Sequence, residues 1–133
     1  MKYLFALIGD EGAYEDRPPE ETRAALAEWQ KFTDATVESG AFIAGEGLQP
    51  SGTATTVHVP ESGERTVTDG PFTESKEQLG GFYLLECRDL DEALGWAKKI
   101  PDLGEGGGVE VRPVMNYEAA GYEGDAQEGA AQS

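Results

Sequence analysis

The feature that most constrains this chain is a first strand that is apolar on both of its faces. Every residue from Tyr3 to Ile8 is apolar, and the run ends at Gly9 and Asp10. Because successive side chains of a strand point to opposite sides of the sheet, both faces of this strand require burial. The rest of the chain, or a second copy of it, has to supply two covering layers.

Two segments have the spacing of amphipathic helices. The first is predicted to open at Pro18-Pro19, where proline and the following acids favour a helix start, and to end at Ser39-Gly40. Its apolar side chains recur at helical spacing and form one face: Ala25, Leu26, Trp29 and Phe32. The second helix is predicted to start at Asp89, with Glu92 completing a capping box, and to be stopped by Pro101.

The remaining apolar and β-branched segments predict an antiparallel sheet. Strands are expected over residues 2–8, 41–48, 53–59, 64–68, 79–87 and 109–114, with a hairpin turn at residues 60–63. This order predicts an α+β fold in which two helices cover one face of the sheet. Since the other face also needs burial, we expect a homodimer.

The domain is predicted to span residues 1–115. Residues 116–133 contain acidic side chains, no basic ones and no periodicity, which predicts a disordered tail.

Charge and cysteine content exclude several classes of function. The chain has 10 basic and 26 acidic residues, a formal net charge of −16, so phosphate backbones and anionic membrane surfaces are disfavoured as partners. No segment approaches the ~20 apolar residues that a membrane-spanning helix needs. The single cysteine, Cys87, cannot form an internal disulfide and is expected to be a small buried residue. We therefore expect a cytoplasmic protein.

The most unusual stretch is the loop that follows Thr68. Gly70 precedes a proline and requires an extended or glycine-specific backbone, and Phe72 is expected to fill an apolar gap. Charges of both signs then come close together at Asp69, Glu74, Lys76 and Glu77. Two interpretations stay open: a loop that lines a pocket and tunes titratable groups, or a structural turn with a solvated charge cluster.

Three further residues are candidates outside that loop. Glu46 lies between two glycines, whose small size leaves space for a ligand. Its carboxylate is then a base or a hydrogen-bond acceptor for that ligand, but the glycines equally fit a bulged strand end. His58, the only histidine, is a general base if a carboxylate faces it and an exposed strand residue otherwise. Arg112 either binds an anionic substrate or pairs with Glu110 on the same strand face.

The segment 68–83, which reads TDGPFTESKEQLGGFY, resembles the signature of the DGPF branch of the YCII-related family. Residues 1–4, 45–50, 53–57, 89–93 and 109–114 support the resemblance, which covers about residues 1–115. It implies a ferredoxin-like sheet that pairs into a dimeric α/β barrel.

The resemblance carries only part of the family's chemistry to this chain. Some YCII-type members are proposed to use a His–Asp pair with the histidine on the first helix, and one branch removes hydrogen chloride from a ring substrate. Residues 18–40 contain no histidine, so that pair is not transferred here. DGPF-type proteins are often encoded beside extracytoplasmic-function sigma factors, which implies a regulatory accessory role.

Two functional hypotheses follow. The first is a small-molecule enzyme or binder, whose candidate residues should converge on one cavity between sheet and helices; they are Asp69, Glu46 and Lys76 as catalytic groups and Phe72, Glu74, Glu77, Arg112 and His58 as substrate-binding groups. The second is a non-catalytic partner of a sigma factor, which should expose an apolar patch or an acidic face. Neither hypothesis requires a metal or cofactor, because no ligand cluster, phosphate loop or dinucleotide fingerprint occurs.

Overall fold

A computed structural model describes residues 1–12, 16–119 and 121. Within this part of the chain lie six strands, two α-helices and one 3₁₀ turn at Ser51–Thr53. In chain order the elements are β1 (Lys2–Asp10), α1 (Pro19–Glu38), β2 (Phe42–Gly47), β3 (Thr55–His58), β4 (Thr66–Asp69), β5 (Glu77–Glu86), α2 (Leu90–Ala97) and β6 (Gly108–Pro113).

The main sheet has four strands in the order β2-β5-β1-β6, and every neighbouring pair is antiparallel. Both helices pack on the same side of it, because Phe32 of α1 and Ala93 of α2 share one core with Phe5 and Leu85. Phe5 and Leu85 are fully buried at the centre of this core. The α+β architecture and the antiparallel sheet with two helices on one face are therefore confirmed.

The opposite side of the sheet, here called the outer face, has no covering layer in the described chain. Alternation along β1 and its strand registers place on this face Leu4, Ala6, Ile8, Phe82, Leu84, Glu110 and Arg112. Leu4 stays exposed although it lies in the central strand. The double-sided apolar pattern of β1 thus has only one of its two faces buried within a single chain.

Strands β3 and β4 form a separate two-stranded hairpin, as the turn at residues 60–63 predicts. Val57 lies opposite Val67, and these side chains are 52% and 66% exposed. At the base of the hairpin Gly70 has φ +103°, a glycine-specific backbone, and its N–H donates to the Ala54 carbonyl at 2.7 Å. Such a hairpin is marginal when isolated, so this hydrogen bond helps to fix it.

Phe72 corrects one expectation, since it does not fill an apolar gap. Its side chain is 76% exposed and its ring lies beside His58, with the ring centroids 5.9 Å apart. An apolar residue in a short loop reaches the core only when the loop folds back over the core. This loop leads out of the β3–β4 hairpin, which is separate from the main sheet, so Phe72 lies away from the core.

Helix α2 is shorter than predicted. Asp89 caps it as expected, accepting from the Glu92 N–H at 2.9 Å, but the helix ends at Ala97 rather than at Pro101. The N–H groups of Lys99 and Ile100 donate to the carbonyls three residues back, as in a 3₁₀ turn. The α-helix therefore gives way to a tighter turn before the chain reaches Pro101.

The predicted disordered tail lies outside the described residues except for 116–119 and 121. No helix in the described part of the chain is long and apolar enough to cross a membrane.

Two adjacent glycines of β5 provide a matched stability test. A Cβ on Gly81 would lie 2.7 Å from the Glu46 carbonyl oxygen, whereas a Cβ on Gly80 would have its nearest neighbour at 3.9 Å. We expect Gly81→Ala to lower the free energy of unfolding by about 1–3 kcal/mol, because β2 would have to move away from β5. Gly80→Ala should leave it unchanged or slightly raised. Urea denaturation of both variants measures the difference, and equal effects would contradict this packing of β2 on β5.

Candidate functional site

A cleft of about 600 Å³ opens between α1 and the β2 end of the sheet. Three side chains of α1 form one wall: Leu26, Trp29 and Thr33. Strands β1, β2 and β5 contribute the floor, which includes Leu7, Phe42, Gly45, Gly80 and Tyr83. Leu48, Pro50 and Leu103 extend the apolar lining towards the mouth. The cleft therefore lies where helix, sheet edge and connecting loops meet.

Glycines create much of this space. Gly45, Gly47 and Gly80 line the cleft without side chains, and a Cβ on Gly47 would meet nothing within 4 Å. Gly45 has a second role, since a Cβ there would lie 2.8 Å from the Tyr83 ring. Its missing side chain allows that ring to lie across the edge strand.

Tyr83 is the centre of the aromatic cluster that separates the cleft from the core. Its ring packs edge-on against Phe32 and Phe42, with centroids 5.1 and 6.4 Å apart, and parallel to Trp29 at 6.3 Å. The Tyr83 hydroxyl lies 2.6 Å from Thr33 Oγ1. Because one hydroxyl donates to the other, one O–H proton of the pair is left over for a further acceptor.

Glu11, which lines the cleft, is held by the 3₁₀ turn. It accepts two hydrogen bonds from Ser51, from the backbone N–H at 2.7 Å and from Oγ at 2.6 Å. This pair joins the segment after β1 to the segment after β2 and fixes the position of the Glu11 carboxylate.

The ionic side chains that line the cleft are all acidic. Glu11 and Glu46 lie there, and no lysine, arginine or histidine of the described residues does. Within residues 1–12, 16–119 and 121, no group of three or more histidine, cysteine, aspartate or glutamate side chains could hold a metal ion. The cleft can thus offer aromatic surface, a hydroxyl pair and the Glu11 carboxylate.

Of the eight candidate residues from the sequence, Glu46 is the one that lines the cleft. Asp69, Glu74, Lys76 and Glu77 are exposed in or beside the loop between β4 and β5, and none of them lines the cleft. The expected convergence on one cavity is therefore not observed for the set. Their catalytic and binding roles stay predictions.

Gln78, the second residue of β5, was not a candidate, but it lines the cleft. Its Nε2 donates to the Thr73 and Ser75 carbonyls at 3.2 and 2.8 Å. The loop between β4 and β5 is thus held in shape by a side chain at the cleft wall.

His58 and Arg112 have partners away from the cleft. His58 Nε2 lies 3.0 Å from Thr68 Oγ1 on the neighbouring strand, and its side chain is half-buried against Phe72. Arg112 Nη2 lies 2.7 Å from Glu110 Oε1, so the predicted ion pair on β6 is confirmed. Both residues of this ion pair are exposed on the outer face, and a solvent-exposed ion pair contributes little to stability.

Cys87 is buried, as expected. Burial first, and then the nearby Glu92 and Glu86 carboxylates, raise the pKa of its thiol. A raised pKa disfavours the thiolate, so this side chain is poorly suited to be a nucleophile.

Sequence reasoning missed the residues that give the cleft its shape, namely Glu11, Trp29, Thr33 and Tyr83. The sequence pattern identifies Trp29 only as part of the apolar helix face and Tyr83 only as part of an apolar strand. The nearest signal was the pair of glycines around Glu46, which did indicate space for a ligand.

Comparison with known proteins gives two findings. Residues 1–118 match the family described as the YCII-related domain. The chain is also similar to an uncharacterized protein, R00369, of Rhizobium meliloti (strain 1021), with 36% identity over 118 residues that cover 88% of this chain and 94% of that protein.

The hydroxyl pair at the cleft wall can be tested by a double-mutant cycle. Thr33→Val and Tyr83→Phe should each lower the free energy of unfolding by about 1 kcal/mol, because each removes the same part-buried hydrogen bond. The double variant should lose less than the sum of the two, by a coupling energy of about 0.5–1 kcal/mol. Urea denaturation of the four proteins measures this coupling, and strictly additive losses would contradict the contact.

Proposed function

This chain belongs to the YCII-related domain family, and we propose that it binds a small molecule in the cleft between α1 and the sheet. The observation that carries the proposal is the cleft itself, which at about 600 Å³ falls within the size range of ligand pockets. Its apolar and aromatic lining with a few polar groups is typical of such sites.

Of the three candidate catalytic groups, we propose Glu46 as the residue nearest the ligand, since it lines the cleft and Asp69 and Lys76 do not. Gly45 and Gly47 face the cleft side of β2, so alternation turns the Glu46 side chain to the other side of the strand, where Glu46 pairs with Phe82. We therefore assign no proton transfer to its carboxylate.

A binding experiment with a neutral fluorescent probe tests the proposal. The dye 6-propionyl-2-dimethylaminonaphthalene should gain intensity and shift its emission to the blue when it enters the apolar cleft. Gly47→Phe should abolish this change, since its side chain would grow into the open space of the cleft.

Gly95→Phe is the matched control for that variant. A Cβ on Gly95 would likewise meet nothing within 4 Å, but Gly95 lies on the exposed side of α2 and does not line the cleft, so the substitution should leave dye binding intact. Far-UV circular dichroism checks that both variants fold. Unchanged dye binding in Gly47→Phe, or its equal loss in Gly95→Phe, would contradict the cleft as the binding site.

We also propose that the chain forms a homodimer through the outer face, as a ferredoxin-like dimeric α/β barrel of the DGPF branch. The support is the apolar outer face, on which Leu4 is exposed and Ala6, Phe82 and Leu84 are only half-buried, since an uncovered apolar face commonly marks an interface. Leu4 and Leu84 lie side by side at its centre.

Leu84→Arg should therefore convert a dimer into a monomer, because it places an unpaired charge in the interface. Val37→Arg, at an exposed position of α1, is the control and should remain dimeric. Light scattering coupled to size-exclusion chromatography measures the mass. A monomeric wild-type protein at micromolar concentration would refute the proposed dimer.

The alternative, a non-catalytic module that binds an extracytoplasmic-function sigma factor, stays a prediction. The exposed hairpin valines, Val57 and Val67, and the exposed Phe72 ring are the features that favour a protein partner. The cleft favours the small-molecule proposal, so we place the alternative second.

A further inference from the structure

We infer that the cleft takes a flat, largely apolar ligand and that the hydroxyl of Thr33 binds a hydrogen-bond acceptor of this ligand, such as a conjugated carbonyl oxygen. This inference rests on the proposed ligand-binding function and adds the chemical class of the ligand and the atom that orients it. It depends on the position of the Thr33 hydroxyl, on its pairing with Tyr83 and on the groups that surround the pair.

Thr33 is the one threonine of α1 whose hydroxyl does not donate to a carbonyl of the preceding turn. Thr36 Oγ1 donates to the Thr33 carbonyl at 2.7 Å, and Thr22 Oγ1 donates to the Pro18 carbonyl at 3.4 Å. Such carbonyls are the local partners of threonine hydroxyls in helices. Thr33 Oγ1 instead lies 2.6 Å from the Tyr83 hydroxyl and has no other hydrogen-bond partner among the described residues. This hydroxyl is therefore directed away from its own helix and towards the sheet.

The direction of the hydrogen bond between the two hydroxyls determines which of them faces a ligand. A phenol is more acidic than an aliphatic hydroxyl and is the better donor, so Tyr83 donates to Thr33 Oγ1. The Thr33 proton is then left without an acceptor among the described residues. Thr33 is also the more accessible of the two, since it is half-buried while Tyr83 is 8% exposed. Because both residues line the cleft, a ligand there meets the Thr33 proton first.

Aromatic rings surround the hydroxyl pair. Trp29 lies one turn before Thr33 on α1 and parallel to the Tyr83 ring, with 6.3 Å between the centroids. Phe42 packs edge-on against the same ring at 6.4 Å, and all four residues line the cleft. Ring faces and edges pack closely against a flat ligand. A polar group of that ligand loses its hydration there and requires a partner, which Thr33 supplies to an acceptor.

The described lining offers an acceptor few other side-chain donors. Gln78 Nε2 already donates to two loop carbonyls, and Glu11 is itself an acceptor, bonded to Ser51. The indole N–H of Trp29 lies in the plane of its ring, whereas a flat ligand packs against the face of that ring. Thr33 is therefore the donor whose position fits an acceptor on such a ligand.

Two naphthalene compounds of nearly equal shape test the inference. 2-Acetylnaphthalene has a carbonyl oxygen where 2-isopropenylnaphthalene has a methylene group. Each is titrated as a competitor of the neutral dye, and the ratio of their affinities does not depend on how tightly the dye itself binds. Thr33→Val keeps the shape of the side chain and removes the hydroxyl. It should lower the ratio of ketone to alkene affinity about three- to tenfold, the effect of one lost hydrogen bond, and leave alkene binding unchanged.

Thr22→Val is the matched control, because it makes the same substitution on the same helix at an exposed position outside the cleft lining. It should leave the ratio at the wild-type value. Thr33→Ser keeps the hydroxyl and should retain most of the ratio. Tyr83→Phe should lower the ratio less than Thr33→Val does, since Thr33 keeps its own proton.

The infrared band of the bound ketone, labelled with ¹³C at its carbonyl, reports the hydrogen bond itself. A hydrogen bond to the oxygen weakens the C=O bond, so the band should lie at lower frequency in the wild-type protein than in Thr33→Val. A purely structural effect of the substitution on the cleft would change both affinities and leave the ratio unaltered.

The outcomes separate this inference from the proposed function. If both compounds bind and Thr33→Val changes neither the ratio nor the carbonyl band, the inference is wrong while the proposed ligand site stands. If Tyr83→Phe lowers the ratio and Thr33→Val does not, the assignment to Thr33 is refuted. An equal loss in Thr22→Val would show that the effect is not local, which also refutes it. If neither the dye nor either compound binds, the proposed function fails, and this inference fails with it.

Discussion

The packing of Tyr83 beneath α1 is the contact on which the rest of the structure depends. Its ring meets Phe32, Phe42 and Trp29, and its hydroxyl meets Thr33, so one side chain of β5 joins the sheet, the edge strand and the helix. This contact holds Trp29 and Thr33 of α1 against the sheet. Because both residues line the cleft, the same contact positions its helical wall.

The glycines and the outer face follow from the same arrangement. Gly45 leaves space for the Tyr83 ring, and Gly81 lets β2 approach β5 closely. Both helices are used on one side of the sheet, and within the described residues no further element covers the other side. The molecule thus has a cleft on one side of the sheet and an apolar face without a covering layer on the other.

Much of the fold follows from short-range patterns in the sequence. The alternation of β1, the cap at Asp89 and the glycine-specific backbone at Gly70 depend on a few neighbouring residues, and each is confirmed. The site depends on contacts between distant residues: Thr33 and Tyr83 are 50 positions apart, and no local pattern indicates that their hydroxyls meet. Phe72 shows a second limit of local patterns. Its apolar side chain predicts burial, but burial depends on which distant residues pack against it, and here the side chain is exposed.

The central claim is that the cleft beneath α1 holds a ligand, and amide chemical shifts test it most directly. Titration of the ¹⁵N-labelled protein with the neutral aromatic probe 1-naphthalenemethanol should shift the N–H signals of Gly45, Gly47 and Gly80, which line the cleft. Signals from the hairpin, such as those of Val57 and Val67, should remain in place. Shifts confined to the hairpin or to the outer face, or no shifts at millimolar ligand, would contradict the account.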